Sequence, residues 1–430
     1  MAKNLNDWLH WLGEEIPVVM QKTTQDFAEG LILCRGIADR MGLLTPPFKI
    51  VTVAGTNGKG SSVTLLDNIY HAAGYKTGRY MSPHVLRYNE RIALNTQDVA
   101  DDLICESFER INIARGDILL SYFEFGTLAA LDIFHRTQVD IALLEVGLGG
   151  RLDAVNLFDP DVALITKIDL DHTKMLGSDR ETIAGEKAGI FRFDQPAVCS
   201  DPEPPKAIES HAQEKSVKLN RLGIEFSYYT YENHWQWYSA KQTLHNLPLP
   251  ALAGEHQVDN AAGVLQAIEL LSESLPVAEV DIHQGLTTLH VPGRFQRLPG
   301  NRSIFVDIAH NPLGTRVLKK LLVKKPHAWK THAVVGMLAD KDIQGALKEI
   351  HDAIDVWHIA PVKASRSANI EVLSGYLLNL GVECVNSYPD VETAYHKALD
   401  IATPCDRLII FGSVYTVSEV LAVTSKIQQK

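Results

Sequence analysis

Cysteine is scarce in this chain, and its distribution excludes several kinds of site. The five cysteines are odd in number and contain no C-x-x-C pair; they are Cys34, Cys105, Cys199, Cys384 and Cys405. A disulfide framework needs paired cysteines and a cysteine-based zinc site needs clustered ones, so we predict neither. Scattered thiols suit a reducing compartment, and we therefore expect a cytoplasmic protein.

Long apolar runs and an excess of basic charge are also missing. No stretch of about 18 apolar residues occurs, and Asp7, Glu14 and Glu15 interrupt the first turns, so we expect neither a membrane partner nor a signal peptide. Lysine and arginine total 41 against 52 acidic residues, a formal net charge of −11. Because nucleic acid requires a basic surface, it is not an expected partner, whereas a small anion needs only a local basic pocket.

The pattern of apolar segments predicts an α/β fold. A length of 430 residues favours two domains, and an amphipathic helix is expected near 5–12. Short apolar strands then alternate with helices, which is typical of a parallel sheet covered on both faces. The predicted strands are 50–53, 76–80, 139–146 and 162–168, and the predicted helices are 61–73 and 125–136.

A change of composition divides the chain. Segment 202–250 is polar and rich in tyrosine and tryptophan, and we interpret it as a small antiparallel element rather than a stacking platform for nucleic acid. Pro292-Gly293 resembles a hinge, after which strands are expected at 303–307, 333–335, 356–360 and 408–411. We therefore predict an α/β domain over 1–292, with a mostly parallel sheet plus the small antiparallel element, and a Rossmann-like α/β domain over 293–430.

The segment Val51-Thr52-Val53-Ala54-Gly55-Thr56-Asn57-Gly58-Lys59-Gly60-Ser61-Ser62 indicates a phosphate-binding loop. A β-branched strand enters a glycine-rich turn, and Lys59 stands where a helix should begin. Backbone N–H groups, the helix N-terminus and the lysine would all face phosphate oxygens. The motif departs from Walker A, because Val53 replaces the first glycine and Gly60 stands where a hydroxyl is usual. A simple glycine turn is the alternative.

Polar clusters follow several predicted strands, at the edge where parallel sheets bind ligands. Glu145 ends an apolar strand and precedes a glycine-rich loop, so it is a candidate ligand of Mg²⁺; pairing with Arg151 or a lysine is the alternative. His172 follows Asp169 and Asp171 and is either a metal ligand or an ordinary polar residue. Beyond the hinge, Arg294 could reach phosphates across the cleft, whereas segment 307–312 could equally be turn chemistry.

Nine segments in one order carry a family resemblance. They are GTNGKGSS (55–62), SPHVLRYNERI (82–92), YFEFGTLAAL (122–131), EVGLGGRLDAVN (145–156), IDLDHTKMLG (168–177), EKAGIFR (186–192), GRFQ (293–296), DIAHNP (307–312) and GMLADKD (336–342). With these motifs the chain resembles the folylpolyglutamate synthases of the Mur ligase superfamily, and most closely the bifunctional dihydrofolate synthase/folylpolyglutamate synthases. Lys167 stands where the family commonly has a small polar residue, which leaves its role open.

The resemblance implies a role for each matching residue. The residues that would contact ATP are Thr56, Asn57, Gly58, Lys59, Gly60, Ser61, Asn260, Arg294 and Asp307. Those that would contact the pterin substrate are Ser121, Tyr122, Phe123, Glu124, Leu152, Asp153 and Ala154. Ser82, Glu145 and His172 would bind magnesium, with carbamylated Lys187 helping to hold a second ion. Lys59, Lys187 and His310 would be catalytic, His310 by assisting deprotonation of an amine.

The resemblance implies that 1–292 is a P-loop-type ATPase domain that binds ATP and folate, that 293–430 is the glutamate-ligase domain, and that the chain has the following activity. The chain would be an ATP-dependent ligase that joins L-glutamate to dihydropteroate and adds glutamates to reduced folates, through an acyl phosphate. Its partners would be these small molecules and ATP with two magnesium ions, and the expected state is a monomer. The alternatives are a folylpolyglutamate synthase alone, a related ligase for another acid and amino acid, and a P-loop nucleotide switch.

Overall fold

The computed structural model describes residues 3–15, 24–325 and 329–428. The strands are β1 Lys49–Ala54, β2 Thr77–Tyr80, β3 Ile92–Leu94, β4 Gln97–Asp98, β5 Ile141–Glu145, β6 Val162–Ile165, β7 Pro196–Cys199, β8 Lys218–Arg221, β9 Phe226–Thr230, β10 His234–Ser239, β11 Thr243–Pro248, β12 Gln296–Arg297, β13 Ser303–Val306, β14 Thr331–Val335, β15 Val356–Ile359, β16 Val385–Ser387 and β17 Arg407–Phe411. The helices are α1 Leu5–Glu15, α2 Thr24–Arg40, α3 Lys59–Ala72, α4 Asp101–Arg115, α5 Tyr122–Thr137, α6 Thr173–Leu176, α7 Arg180–Ala188, α8 Lys206–Glu214, α9 His256–Leu271, α10 Glu279–Thr287, α11 Pro312–Lys324, α12 Ile343–Ile350, α13 Ile370–Asn379, α14 Val391–Ile401 and α15 Val414–Gln428.

The first sheet has eight strands in the order β4-β3-β2-β5-β1-β6-β7-β8. All neighbours from β2 to β8 are parallel, and only β3 and β4 add antiparallel pairs at one edge. Central β1 pairs with both β5 and β6, so Val53 is opposite Glu145 on one side and Leu164 on the other. The predicted mostly parallel sheet is confirmed, and its strand ends bring the sequence-distant polar clusters to one edge.

The aromatic segment 202–250 is antiparallel only in part. Its last three strands form the antiparallel sheet β11-β10-β9. The earlier strand β8, which follows α8, instead pairs in parallel with β7 and extends the main sheet. The prediction that the whole segment is antiparallel was therefore wrong for its first part. Trp235 and Trp237 are fully buried, and Trp237 Nε1 donates to the Ala262 carbonyl at 3.2 Å. The two tryptophan rings therefore pack toward α9, as expected for an element that packs on the first domain, whereas Tyr229 and Tyr231 are exposed.

The second sheet has the order β12-β13-β17-β14-β15-β16, parallel except for β12. Two separate groups of buried apolar side chains cover its two faces, as alternation along β14 shows: Ala333 and Val335 lie in one group and Val334 in the other. The predicted second α/β unit is confirmed. Edge strands β12 and β16 escaped prediction because they are only two and three residues long.

Two further sequence expectations meet the structure directly. All five cysteines are free thiols in the structure. Among the described residues, none of the helices combines the length and the apolar character needed to cross a membrane.

Candidate active site

The two sheets meet at a cleft that contains every predicted site residue. One cavity of about 510 Å³ is lined by the phosphate loop, the ends of β2, β5 and β6, the start of α5, and the loops after β13, β14 and β17. A second cavity of about 680 Å³ adjoins it. Ser61, Asn260 and Asp307 line the second cavity, whereas Asn57, Gly58, Arg294 and His310 line both. The remaining predicted residues line the first.

The phosphate loop has the expected strand–turn–helix geometry. Gly58 takes φ 97° directly before α3, a conformation that side chains of L-residues rarely adopt. Lys59 opens α3, and its Nζ donates to the carbonyl oxygens of Gly55 at 3.0 Å and Thr56 at 3.2 Å. Burial lowers the pKa of Lys59, although Glu145 and Asp171 oppose that shift. Carbonyl oxygens of the loop itself thus hold the Lys59 ammonium, and a bound anion could replace them as its partner.

Asn260 is placed against this loop from the side of α9. A Cβ on Gly58 would lie 2.4 Å from Asn260 Oδ1, and Asn260 Nδ2 donates to Gln257 Oε1 at 3.1 Å. Because that amide has little freedom to retreat, the loop needs glycine at 58 for contact as well as for backbone conformation.

Gly58→Ala is expected to lower nucleotide affinity at least about tenfold, since the methyl group must displace Asn260 or distort the loop. Gly42→Ala is the matched control, because Gly42 also has positive φ (69°) but no atom lies within 4 Å of the place that its Cβ would take. Both variants carry the backbone cost of about 1 kcal/mol. Titration of AMPPNP by calorimetry, with thermal unfolding in parallel, separates the two effects. Equal affinities for the two variants would contradict the assigned contact.

Glu145 is buried at the end of β5 with one polar partner of clear geometry. Its Oε2 accepts from the backbone N–H of Ser82 at 3.1 Å. Burial raises the pKa of Glu145, and the nearby Lys59 charge counteracts this. Arg151 pairs with Glu186 instead, at 2.9 Å, so the Arg151 alternative is excluded. A buried carboxylate with spare lone pairs beside a phosphate loop suits a hard cation.

His172 fits a metal less simply. Lys341 Nζ lies 3.1 Å from His172 Nε2 and 2.8 Å from Asp171 Oδ1. Since an ammonium only donates, it occupies the Nε2 lone pair that a metal would take, and Lys341 must move for His172 to ligate. Burial lowers the pKa of His172 to about 4, which keeps the ring neutral. Within the described ranges, no three His, Cys, Asp or Glu side chains form a metal-binding group.

Lys187 lies inside the protein at the C-terminal end of α7. Its side chain is buried and Nζ donates to the Gly55 carbonyl at 2.8 Å, beneath the phosphate loop. Burial, reinforced by the Lys59 charge, lowers the pKa of Lys187 to about 7. The sequence alone indicated a solvated helix lysine. The structure instead places this amine at the cavity wall, and its lowered pKa raises the fraction of the neutral form, which is the form that reacts with carbon dioxide.

The predicted pterin-contacting segments also line the first cavity. Ser121 and Glu124 form a capping box at the start of α5, where Glu124 N–H donates to Ser121 Oγ at 3.2 Å. Phe123 packs on Tyr80 with ring centroids 5.8 Å apart. Asp153 accepts from the N–H groups of Leu148 and Val155, and burial raises its pKa to about 7.

The second domain contributes Arg294, Asp307 and His310. Arg294 Nε is buried and has no hydrogen-bond partner among the described residues, an arrangement that suits an anionic ligand. Asp307 accepts two backbone N–H groups at 2.8 Å, and burial raises its pKa. His310 Nδ1 lies 2.9 Å from the Ile308 carbonyl, and Nε2 lies 3.4 Å from Asp171 Oδ2. Because the Ile308 carbonyl can only accept, Nδ1 is the donor in that contact and Nε2 is the ring nitrogen that faces Asp171.

Three residues at the cleft escaped assignment from the sequence: Asp171, Asn311 and Lys341. The only available signal was their position inside matched motifs. Lys167, whose role the sequence left open, is a counter-ion: its Nζ lies 2.7 Å from Asp201 Oδ1, and Asp201 is fully buried. Its carbonyl oxygen also accepts from Thr56 N–H at 2.8 Å, which fastens the phosphate loop to the segment after β6.

Comparison with known proteins decides the family. Residues 122–268 match the Mur ligase middle domain, and residues 293–414 match the Mur ligase, glutamate ligase domain. The dihydrofolate synthase/folylpolyglutamate synthase of Escherichia coli (strain K12) is 41% identical over 98% of this chain and 96% of its own. The chain belongs to the dihydrofolate synthase/folylpolyglutamate synthase family. The predicted Mur-type ligase is therefore confirmed.

Solved structures of this family share the fold over nearly the whole chain. Escherichia coli FolC in complex with DHPP and ADP superposes with a TM-score of 0.92 at 41% identity, covering 99% of both chains. A bifunctional folylpolyglutamate synthase/dihydrofolate synthase with Mn, AMPPNP and L-glutamate bound gives a TM-score of 0.89 at 39% identity, covering 98% of both.

Proposed function

We propose that this chain uses ATP to join L-glutamate to dihydropteroate, giving dihydrofolate, and then adds glutamates to reduced folates. One observation carries the proposal: the phosphate loop, the buried Glu145 and the second domain's Arg294 and His310 all line one cleft cavity. A nucleotide switch would need the phosphate loop, but it would not need a second domain whose residues line the same cavity. The runner-up is a folylpolyglutamate synthase without the dihydropteroate activity.

The proposed chemistry begins with a carboxylate, which is a poor acyl donor. The acceptor carboxylate attacks the γ-phosphorus of ATP, the bond to the β-phosphate oxygen breaks, and an acyl phosphate forms with ADP as leaving group. The L-glutamate amine then attacks the acyl carbon, loses a proton and expels phosphate. Lys59 would hold the phosphates and Arg294 would meet them from the second domain, which places the reacting groups together.

Divalent magnesium, when bound, offsets the negative charge of the phosphates. Glu145 and Ser82 would hold one ion beside Lys59, joined by His172 once Lys341 has released Nε2. Lys187 would help to hold a second ion after carbamylation, in which its amine adds carbon dioxide, loses a proton and becomes a carbamate with a terminal carboxylate group. The lowered pKa of this buried amine supports that modification.

The acceptor would bind on the α5 side of the cavity. Phe123 contributes an apolar ring, and a Cβ on Gly147 would lie only 2.7 Å from it, so the ring packs directly against the Gly147 backbone. Asp153 lines the same cavity, and burial raises its pKa to about 7. An aromatic ring beside the buried carboxyl groups of Asp153 and Glu124 suits a planar, hydrogen-bonding pterin. Tyr122, Leu152 and Ala154 also line this cavity.

An ADP-release assay over a matrix of acids and amino acids tests the proposal. We expect ADP with dihydropteroate plus L-glutamate and with tetrahydrofolate plus L-glutamate, and little with either component alone. Release with tetrahydrofolate but never with dihydropteroate would select the runner-up. Release that is independent of acid and amino acid would favour the nucleotide switch.

We also propose a domain boundary at 292/293, where Gly293 has φ 70° and the second sheet begins shortly afterwards at Gln296. A monomer and a cytoplasmic location stay predictions. Sedimentation of the purified protein tests the first of these directly.

A further inference from the structure

The carboxylate of Asp171 lies where the two domains meet and collects three partners from the second one. Its Oδ1 lies 2.8 Å from Lys341 Nζ, and its Oδ2 lies 3.1 Å from Asn311 Nδ2 and 3.4 Å from His310 Nε2. Its side chain is 12% exposed and that of Lys341 only 7%. A charge pair this well buried depends on both members, because either one alone would be left uncompensated.

The main chain next to Asp171 is fastened to the phosphate loop. Thr56 Oγ1 donates to the Asp169 carbonyl at 2.9 Å and accepts from the Asp169 N–H at 3.0 Å. Any displacement of the loop at Thr56 therefore moves the segment that carries Asp171.

A second connection runs through side-chain amides. Asn311 Nδ2 donates both to Asp171 Oδ2 at 3.1 Å and to Asn57 Oδ1 at 3.2 Å, while Asn311 Oδ1 caps α11 through Gly314 N–H at 2.8 Å. Asn57 belongs to the phosphate loop. The loop, Asp171 and the first turn of α11 thus form one hydrogen-bonded unit that spans the cleft.

We propose that Asp171 is a positioning residue that couples docking of the second domain to the phosphate loop. Its contacts to Lys341, His310 and Asn311 join the two domains, whose Arg294 and phosphate loop line the same cavity. The inference rests on the proposed function only because it takes that cavity to be the active site. Asp171 would touch no reacting atom and would act through the groups it holds.

Asp171→Asn tests the proposal, because it keeps the shape of the side chain and removes the charge that Lys341 and His310 face. Asp352→Asn is the matched control: it removes a carboxylate that pairs with Lys319 at 2.7 Å on the exposed surface of one domain. We expect kcat of Asp171→Asn to fall at least about thirtyfold while the Kd for AMPPNP changes less than about threefold.

Small-angle X-ray scattering, with and without AMPPNP and Mg²⁺, provides a readout that a local structural role would not move. The unsubstituted protein and Asp352→Asn should share one radius of gyration in each condition, and the radius of gyration of Asp171→Asn should be larger in both. Superimposable curves for Asp171→Asn and the unsubstituted protein would overturn the proposal. So would a loss confined to AMPPNP affinity.

Lys341→Met approaches the same contact from the second domain and serves if Asp171→Asn fails to fold by circular dichroism. The double variant should lose no more kcat than the more impaired single variant, since both remove one interaction. Independent, multiplying losses would contradict the coupling. If the unsubstituted protein releases no ADP with any acid and amino acid, the proposed function fails, whereas the scattering comparison still decides the role of Asp171.

Discussion

Lys59→Met is expected to lower kcat/KM for ADP release by about a hundredfold to a thousandfold, the largest loss we predict. The ammonium of Lys59 is the cation nearest to the predicted phosphate position on the loop itself, and it lies within the influence of the Glu145 carboxylate. Methionine keeps the unbranched apolar stem and removes the charge, so the loop should retain its packing. Steady-state assays with varied ATP measure the effect.

Stability should respond differently from activity in this variant. Burial lowers the pKa of Lys59, which means that the folded protein holds this charge at a cost. We therefore expect the free energy of unfolding of Lys59→Met to equal or exceed that of the unsubstituted chain. Lys206→Met is the control, because Lys206 also opens a helix but is exposed. Retention of ADP release within about threefold would refute the assignment of Lys59 to phosphate binding.

Lys187→Met is expected to cost about a hundredfold in ADP release. Two losses combine: the Nζ contact to the Gly55 carbonyl at 2.8 Å, and the carboxylate that carbamylation would supply. Carbon-13 NMR in labelled bicarbonate gives a readout apart from activity, with a carbamate signal in the unsubstituted protein and none in the variant. Lys215→Met is matched to it, since Lys215 Nζ also donates to a backbone carbonyl, that of Phe191, at 2.9 Å.

The same lysine predicts a pH dependence of stability. Its pKa falls from 10.5 to about 7 on folding, so between these values the unfolded chain binds more protons than the folded one. The free energy of unfolding of the unsubstituted protein, minus that of Lys187→Met, should therefore rise as pH increases from about 7, by up to about 1 kcal/mol per pH unit. Chemical denaturation in buffer free of carbon dioxide measures this difference. A difference in free energy of unfolding that stays constant or falls with pH would contradict the lowered pKa of Lys187.

The sequence predicted some parts of the site much better than others. The phosphate loop was visible because a β-branched strand, a glycine turn and Lys59 are contiguous. Glu145 was visible because a carboxylate at the end of an apolar strand is conspicuous. Lys187 was not, because its own helix α7 carries no local sign that Nζ is buried beneath a loop 132 positions earlier.

Errors in the predicted secondary structure also arise where the deciding contact has no clear local sign in the sequence. The helix expected at 125–136 begins at Tyr122, because Ser121 and Glu124 cap it. Segment 202–250 was assigned to one antiparallel element, yet β8 pairs in parallel with β7. A four-residue strand such as β8 has too few residues to reveal by itself which sheet it joins.

The sequence by itself determined the family, the two α/β units and the strand-end residues that face the cleft. These follow from contiguous motifs and from periodicity, which are local properties. Only the tertiary structure decided what Asp171 does. Its partners Asn311 and Lys341 lie 140 and 170 positions away, on loops that reach it only when two separately formed sheets pack across the cleft. Contacts of that kind depend on how the domains dock, and no local pattern in the chain encodes them.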